Sequence, residues 1–339
     1  MRAPAFWWRP DGGFLLSPLG GIYGAIAASR LQSPGRSAGI PVICVGNFTV
    51  GGAGKTPAVL AIGRLLLAAH EYPFFLTRGY GGRLAGPVRV DPASHTAADV
   101  GDEALLLARL APTIVAHDRF AGAEAARRGG ASLIVMDDGF QNPALRKDLA
   151  IVLIDGRRGV GNGRSFPAGP LRAPLNAQMA RAGALVIVGP DTGAADVARL
   201  AQQRGIATFH ARLQPNPQTL AALGGRKVLA FAGIADPQKF FATLTDAGVA
   251  VAQTASFADH HRYTAAEAQA LLARADAASL VLLTTEKDSA RLAGDPAVAA
   301  LAGRASVLPV RLEVAEADAF RDMVLRVTKQ PARDAMAPR

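Results

Sequence analysis

The hydrophobic positions of this chain follow two different periods. Short, continuously apolar runs recur at 41–46, 74–77, 113–116, 133–136, 149–154 and 184–188. Runs of this length, rich in Val, Ile and Leu, predict strands buried on both faces. Between them lie stretches of helical period, among them 56–69, 103–110 and 120–128. Apolar strands alternating with helices predict an α/β fold, a mostly parallel sheet covered by helices. Around 213–226 the pattern gives way to turn residues, Gln214-Pro215-Asn216-Pro217 and then Gly224-Gly225. That change marks a boundary. A core domain is therefore expected over 36–213, a linker over 214–225 and a smaller α/β domain over 226–330. In the second unit, strands are expected at 228–232, 249–257, 280–284 and 306–312, with a helix at 237–247. Thr264, followed three residues later by Glu267, reads as a capping box opening a further helix. Residues 331–339 read as a frayed tail.

The segment 1–35 stands apart. Both tryptophans, Trp7 and Trp8, fall here beside Phe6 and Arg9, followed by Phe14, Leu15 and Leu16. Leu19, Ile22, Tyr23 and Ile26 then share one helical face. Pro10, Asp11, Pro18 and several glycines interrupt the roughly 20 apolar residues a spanning helix needs. They also break the apolar region a signal peptide would have. The pattern fits an amphipathic, interfacial helix with its aromatics at headgroup depth and Arg2, Arg9, Arg30 and Arg36 near anionic lipid. A helix packed on the protein's own core has the same spacing.

With 339 residues, half of them hydrophobic and 19% charged, the chain is globular and long enough for two domains. The net charge of +10 suits an anionic partner such as a phosphorylated substrate or an acidic membrane face. No compact basic run interleaved with aromatics is present, so a nucleic-acid partner is not expected. The single cysteine, Cys44, excludes an intramolecular disulfide and sits in an apolar run as a core residue.

The sharpest chemical signal is Gly46-Asn47-Phe48-Thr49-Val50-Gly51-Gly52-Ala53-Gly54-Lys55-Thr56, placed between a strand and a helix. In that context the backbone from Thr49 through Val50, Gly51, Gly52, Ala53 and Gly54 cradles phosphate oxygens. Lys55 reaches the β- and γ-phosphates, and the Thr56 hydroxyl binds Mg2+. Thr49 stands where the usual loop has its first glycine, so the match is to a Gly-Gly-x-Gly-Lys-Thr variant. Asp137-Asp138 follow a strand, where one carboxylate suits a Mg2+ role. Asp102 and Glu103 open a helix, which is ordinary helix-start chemistry and also a place for a catalytic base. Asp259-His260-His261 offers a carboxylate–imidazole pair, and Arg78, Arg119 and Arg172 are candidates to neutralise phosphate.

Taken in order, these segments resemble the tetraacyldisaccharide 4'-kinase family. The resemblance rests on the extended loop 45–57 and on Arg78-Gly79-Tyr80-Gly81, Gly101-Asp102-Glu103, Asp137-Asp138-Gly139-Phe140-Gln141 and Asp155-Gly156. It continues through Phe166-Pro167-Ala168-Gly169-Pro170-Leu171-Arg172, Phe231-Ala232-Gly233-Ile234, Phe257-Ala258-Asp259-His260 and Thr284-Thr285-Glu286-Lys287-Asp288. It implies ATP as phosphoryl donor and a lipid-linked glucosamine disaccharide 1-phosphate as acceptor, phosphorylated at its 4'-hydroxyl to give lipid IVA. It further implies Asp102 as the base with His260 as its partner, and Thr56, Glu103 and Asp138 around Mg2+. The N-terminal helix would dip into the inner leaflet, placing the protein on the cytoplasmic face of the inner membrane of a Gram-negative bacterium as a peripheral or monotopic enzyme. The chain departs from the family at Ala173, where many members carry glutamate. The rival reading is a P-loop switch ATPase or GTPase of the partitioning or metallochaperone type. The Asn-Lys-x-Asp motif that usually accompanies guanine specificity is absent.

Overall fold

The structure is a computed structural model that describes residues 3–52 and 54–329. Arg2, Ala53 and the tail 331–339, which carry expectations above, lie outside the described residues. The strands come in chain order as β1 (Val42–Asn47), β2 (Pro73–Thr77), β3 (Val88–Arg89), β4 (Thr113–Val115), β5 (Leu133–Asp137) and β6 (Leu149–Asp155). They continue as β7 (Ala184–Val188), β8 (Ala207–Pro215), β9 (Val228–Ala232), β10 (Val251–Ser256), β11 (Val281–Thr285), β12 (Ser306–Leu308) and β13 (Val310–Val314).

Nine of them form a sheet in the order β13-β8-β7-β6-β1-β5-β2-β4-β3, and four form a second sheet, β10-β9-β11-β12. Neighbours pair in parallel except at the two edges of the large sheet, where β3 and β13 run antiparallel to theirs. β1 lies at the centre, and every one of its six residues is buried. Its side chains alternate between two cores, Cys44 on one face and Ile43 and Val45 on the other. Burying each such aliphatic side chain contributes roughly 1.5–3 kcal/mol, which is why this strand reads as an unbroken apolar run.

The segment expected as one strand over 306–312 is two strands in two different sheets. β12 completes the small sheet, Pro309 intervenes, and β13 pairs with β8 in the large one. The helix Ala317–Thr328 then packs on the large sheet, with Phe320 edge-on to Phe209 at 5.3 Å. Residues 310–329, assigned on sequence to the second domain, therefore belong to the first lobe. The expected linker 214–225 is likewise ordered. β8 runs to Pro215, and Asn216 caps the helix Pro217–Leu223, which ends on Gly224 in a left-handed conformation. The chain crosses between lobes twice, side by side. Val310 pairs with Pro215, and Asn216 N–H donates to the Pro309 carbonyl at 2.9 Å.

The N-terminal segment forms the helix Ser17–Gln32. Its Gly20 and Gly24 face the protein so closely that an added Cβ would lie 2.8 and 2.9 Å from Ser165 oxygens. Leu15, Leu19, Ile22 and Ile26 are exposed, between 53% and 91%. Among the described residues, Phe14–Gln32 is the one helical stretch long and apolar enough to cross a membrane. Trp7, expected among the lipid-facing aromatics, turns into the protein instead. It is buried, packs edge-on to Phe166, and donates from Nε1 to the Pro167 carbonyl at 3.0 Å.

Candidate active site

The turn after β1 leads straight into the helix Lys55–Ala68, whose N-cap Gly54 is left-handed at φ 85° and supplies no side-chain cap. The first N–H groups of this helix are therefore free to bind an anion. The loop is anchored from behind. Val50 N–H donates to the Pro170 carbonyl at 2.7 Å, Asn47 Nδ2 to Gly51 O at 2.7 Å, and Arg172 Nε to Thr49 O at 3.1 Å. Buried Gln178 donates to Phe48 O and Ala173 O and accepts from Gln141 Nε2, which also donates to Asn47 O. Ala173 is fully buried, so its position in this chain is a packing site.

β5 pairs with β1 so that Val45 lies opposite Asp137, which brings both aspartates to the edge of the loop. Their roles differ. Asp138 sits in a left-handed conformation at φ 48° and accepts both Arg172 Nη atoms at 2.9 and 3.2 Å, with Lys55 Nζ at 3.4 Å. Burial opposes its ionisation, but the charges of Lys55 and Arg172 outweigh this and hold its carboxyl down to about 2. Asp137 is buried, and neither of its oxygens has a hydrogen-bond partner. Burial, with Glu103 and Asp138 adding like charge, pushes it up to about 7. The Thr56 hydroxyl is also buried without a partner. An unpaired buried oxygen costs about 1–3 kcal/mol, and three of them lie beside the phosphate loop.

These groups border a cavity of about 560 Å³ between the lobes, which Arg78, Arg119, Glu103 and His260 also line. Arg119 is almost wholly buried and donates to the Ala116 carbonyl, while its Nε has no partner. Glu103 accepts from Lys287 of the second lobe at 2.6 Å. The Asp102 carboxylate lies 3.4 Å from His260 Nδ1 and borders a smaller adjoining cavity of about 260 Å³. His260 borders both cavities and packs at a tilt against Tyr80, with ring centres 4.8 Å apart. Its hydrogen bond to Asp102 raises its pKa. Burial would raise that of Asp102, but the His260 hydrogen bond and the charges of Arg291 and Lys287 hold it far below the ordinary carboxylate range.

Sequence reasoning thus brings together the loop, Lys55, Thr56, Glu103, Asp138, Arg78, Arg119, Arg172, Asp102 and His260. It passed over Arg291, which donates to Asp102 through Nε at 2.8 Å and through Nη2. It also left Lys239 unremarked, which pairs with Asp155 across the cleft at 3.0 Å. Neither contact has a local signal, since the partner in the other lobe lies more than 80 residues away in each case. A second pair, Arg158 with Asp236 at 2.8 Å, joins the lobes at the same end. Partly exposed pairs of this kind contribute roughly 0.2–1 kcal/mol each, so they allow the lobes to part.

Such a site places the protein among P-loop phosphoryl-transfer proteins with a second lobe over the phosphate loop. The chain belongs to the tetraacyldisaccharide-1-P 4'-kinase family, whose model matches residues 13–329. It is 54% identical over 336 residues, 98% of each chain, to the tetraacyldisaccharide 4'-kinase of Rhodopseudomonas palustris strain BisB18. It is 53% identical over 326 residues to that of Bradyrhizobium sp. strain BTAi1, covering 96% of this chain and 94% of that one. Among solved structures it is similar to LpxK from Aquifex aeolicus in complex with ATP. The TM-score is 0.72 and the identity 26%, over 93% of this chain and 99% of that one.

Proposed function

We propose that this protein transfers the γ-phosphoryl group of ATP to the 4'-hydroxyl of a tetraacyldisaccharide 1-phosphate, a step of lipid A biosynthesis. The observation that carries this reading is one cavity with Lys55 and the phosphate loop on one wall and His260, backed by Asp102, on the other. Phosphoryl transfer asks the protein mainly for positioning and charge stabilisation. Lys55 and the backbone N–H groups hold the phosphate tail, while Arg78 and Arg119 bring positive charge to the same cavity. The acceptor hydroxyl loses its proton to the Asp102–His260 pair as its oxygen bonds to phosphorus. Mg2+ fits the hard oxygens present. Thr56 and Asp137 would hold it, with Glu103 and Asp138 close by, and bound there it neutralises charge on the β- and γ-phosphate oxygens.

Incubation with γ-labelled ATP, Mg2+ and the acylated disaccharide in detergent is expected to move label into a lipid product. Chelation of Mg2+ is expected to stop it. Label appearing only as free phosphate would instead favour the switch ATPase.

The acceptor's acyl chains call for a lipid surface, and the exposed face of Ser17–Gln32 supplies the matching contact on the cytoplasmic leaflet. No nucleic-acid partner enters this reading. The double substitution Ile22→Glu with Ile26→Glu removes two exposed apolar side chains worth roughly 1.5–3 kcal/mol each when buried in lipid. Flotation with anionic vesicles is expected to show at least a hundredfold weaker binding. Undiminished flotation would place the lipid contact elsewhere.

A further inference from the structure

The helix Glu286–Leu292 of the second lobe lies against the helix Asp102–Ala108 of the first. From its last turn Arg291 crosses the interface, with only 5% of its side chain exposed. Nε and Nη2 both donate to Asp102 Oδ2, while Nη1 donates to Asp288 Oδ1 at 2.9 Å and to the Gly233 carbonyl. Asp288 is fully buried and is itself fixed from three sides. It accepts from Gly233 N–H at 3.0 Å, Tyr263 Oη at 2.8 Å and Thr285 Oγ1 at 2.6 Å. The guanidinium therefore arrives at Asp102 from a rigid cradle made wholly of the second lobe.

The consequence falls on the carboxylate. With Oδ2 held by Arg291, Oδ1 is left for the Glu103 N–H at 3.0 Å and for His260 Nδ1 at 3.4 Å. A planar guanidinium constrains the plane of the carboxylate it binds, which a point charge does not. Asp102 belongs to the first lobe, whereas His260 and Arg291 belong to the second. Separation of the lobes takes both partners away from the carboxylate together.

We propose that Arg291 is a positioning residue of the phosphoryl transfer: by gripping Oδ2 of Asp102 from the second lobe, it sets the other oxygen against His260 and assembles the proton-accepting pair only on lobe closure. This rests on the reading of Asp102 and His260 as that pair. The hydroxyl O–H bond breaks as the O–P bond forms. The proton passes to the pair, and ADP leaves with the electrons of the β–γ bridging bond. Arg291 does not border the nucleotide cavity, so it acts on the geometry of the acceptor side and leaves ATP binding alone.

The test compares Arg291→Ala, Arg291→Lys and Asp102→Asn in the full chain, with the acylated disaccharide in detergent. Arg291→Ala is expected to lower kcat about 100-fold, the cost of a misplaced reacting geometry, with the KM for ATP within about threefold of wild type. Added guanidinium ion is expected to restore kcat in a saturable way, and methylammonium to do so poorly. Arg291→Lys keeps charge but loses the fork, and is expected to fold with a near-normal Tm and a kcat at least tenfold down. It carries the test if the alanine variant does not fold. A merely structural role predicts loss of Tm and of ATP binding with no rescue, and that result overturns the proposal. So does Arg291→Lys at wild-type kcat while Asp102→Asn is inactive. If Asp102→Asn itself keeps its activity, the underlying reading of the pair fails instead.

Discussion

Replacing Lys55 by alanine is expected to lower turnover by about a thousandfold or more while the protein stays folded. The reason lies in what Lys55 does and does not touch. Its ammonium group reaches Asp138 Oδ2, Asn47 Oδ1 and Gly51 O, each at 3.4 Å, so none of these contacts is short. Asp138 keeps its two bonds from Arg172, and Asn47 keeps its bond to Gly51. The loop therefore retains its shape, and the stability cost is expected near 1 kcal/mol. What disappears is the loop's own cation, placed to follow charge from the β–γ bridge onto the leaving phosphate. Label transfer to lipid and a thermal melt on the same sample separate the two effects. Turnover within tenfold of wild type would show that the phosphate tail is held elsewhere.

Asp102→Asn is the second large effect. The side chain keeps its size but loses the charge that orients His260 and receives Arg291. Loss of one partner in general acid–base chemistry typically costs about 10²–10⁴ in rate. The KM for ATP should hold, because Asp102 borders the smaller cavity and not the nucleotide cavity. A stability signature accompanies it. The hydrogen bond to Asp102 raises the His260 pKa above its ordinary 6.5. The stabilisation that runs through this pair is thus complete below that ordinary value and fades as pH rises through the raised one. The difference in Tm between wild type and Asp102→Asn should accordingly narrow with rising pH over that window. A kcat within threefold of wild type would remove Asp102 from the proton-accepting pair.

The strands of both sheets were legible in the chain to within about two residues wherever burial made them continuously apolar. β1, β5 and β7 are cases in point, with every position buried. The capping box at Thr264 and Glu267 formed as its spacing implies. β8 was not recognised because it mixes exposed His210 and Arg212 with buried Phe209 and Ala211. Its half-covered face carries too few apolar side chains to stand out. The run over 306–312 misled for a different reason. A period-two pattern does not reveal that the strand changes sheet at Pro309, since β12 and β13 each satisfy the same alternation against different partners.

At the site, the sequence by itself determined the phosphate loop, its lysine and its threonine, because a strand–turn–helix junction is a local structure and its chemistry follows from consecutive residues. It also determined that two carboxylates end the neighbouring strand. Only the tertiary structure distinguishes their surroundings. Asp138 is consumed by Lys55 and Arg172, whereas Asp137 is left buried without a partner. It likewise decided that the exposed face of the first helix is apolar while its glycines meet the protein, and that Arg291 seals Asp102 from the other lobe. These are facts about which groups meet across 34 to 189 residues of chain. Local propensity carries no record of such meetings, because the pairing energy exists only once the chain has folded and, for Arg291 and Asp102, once the two lobes meet.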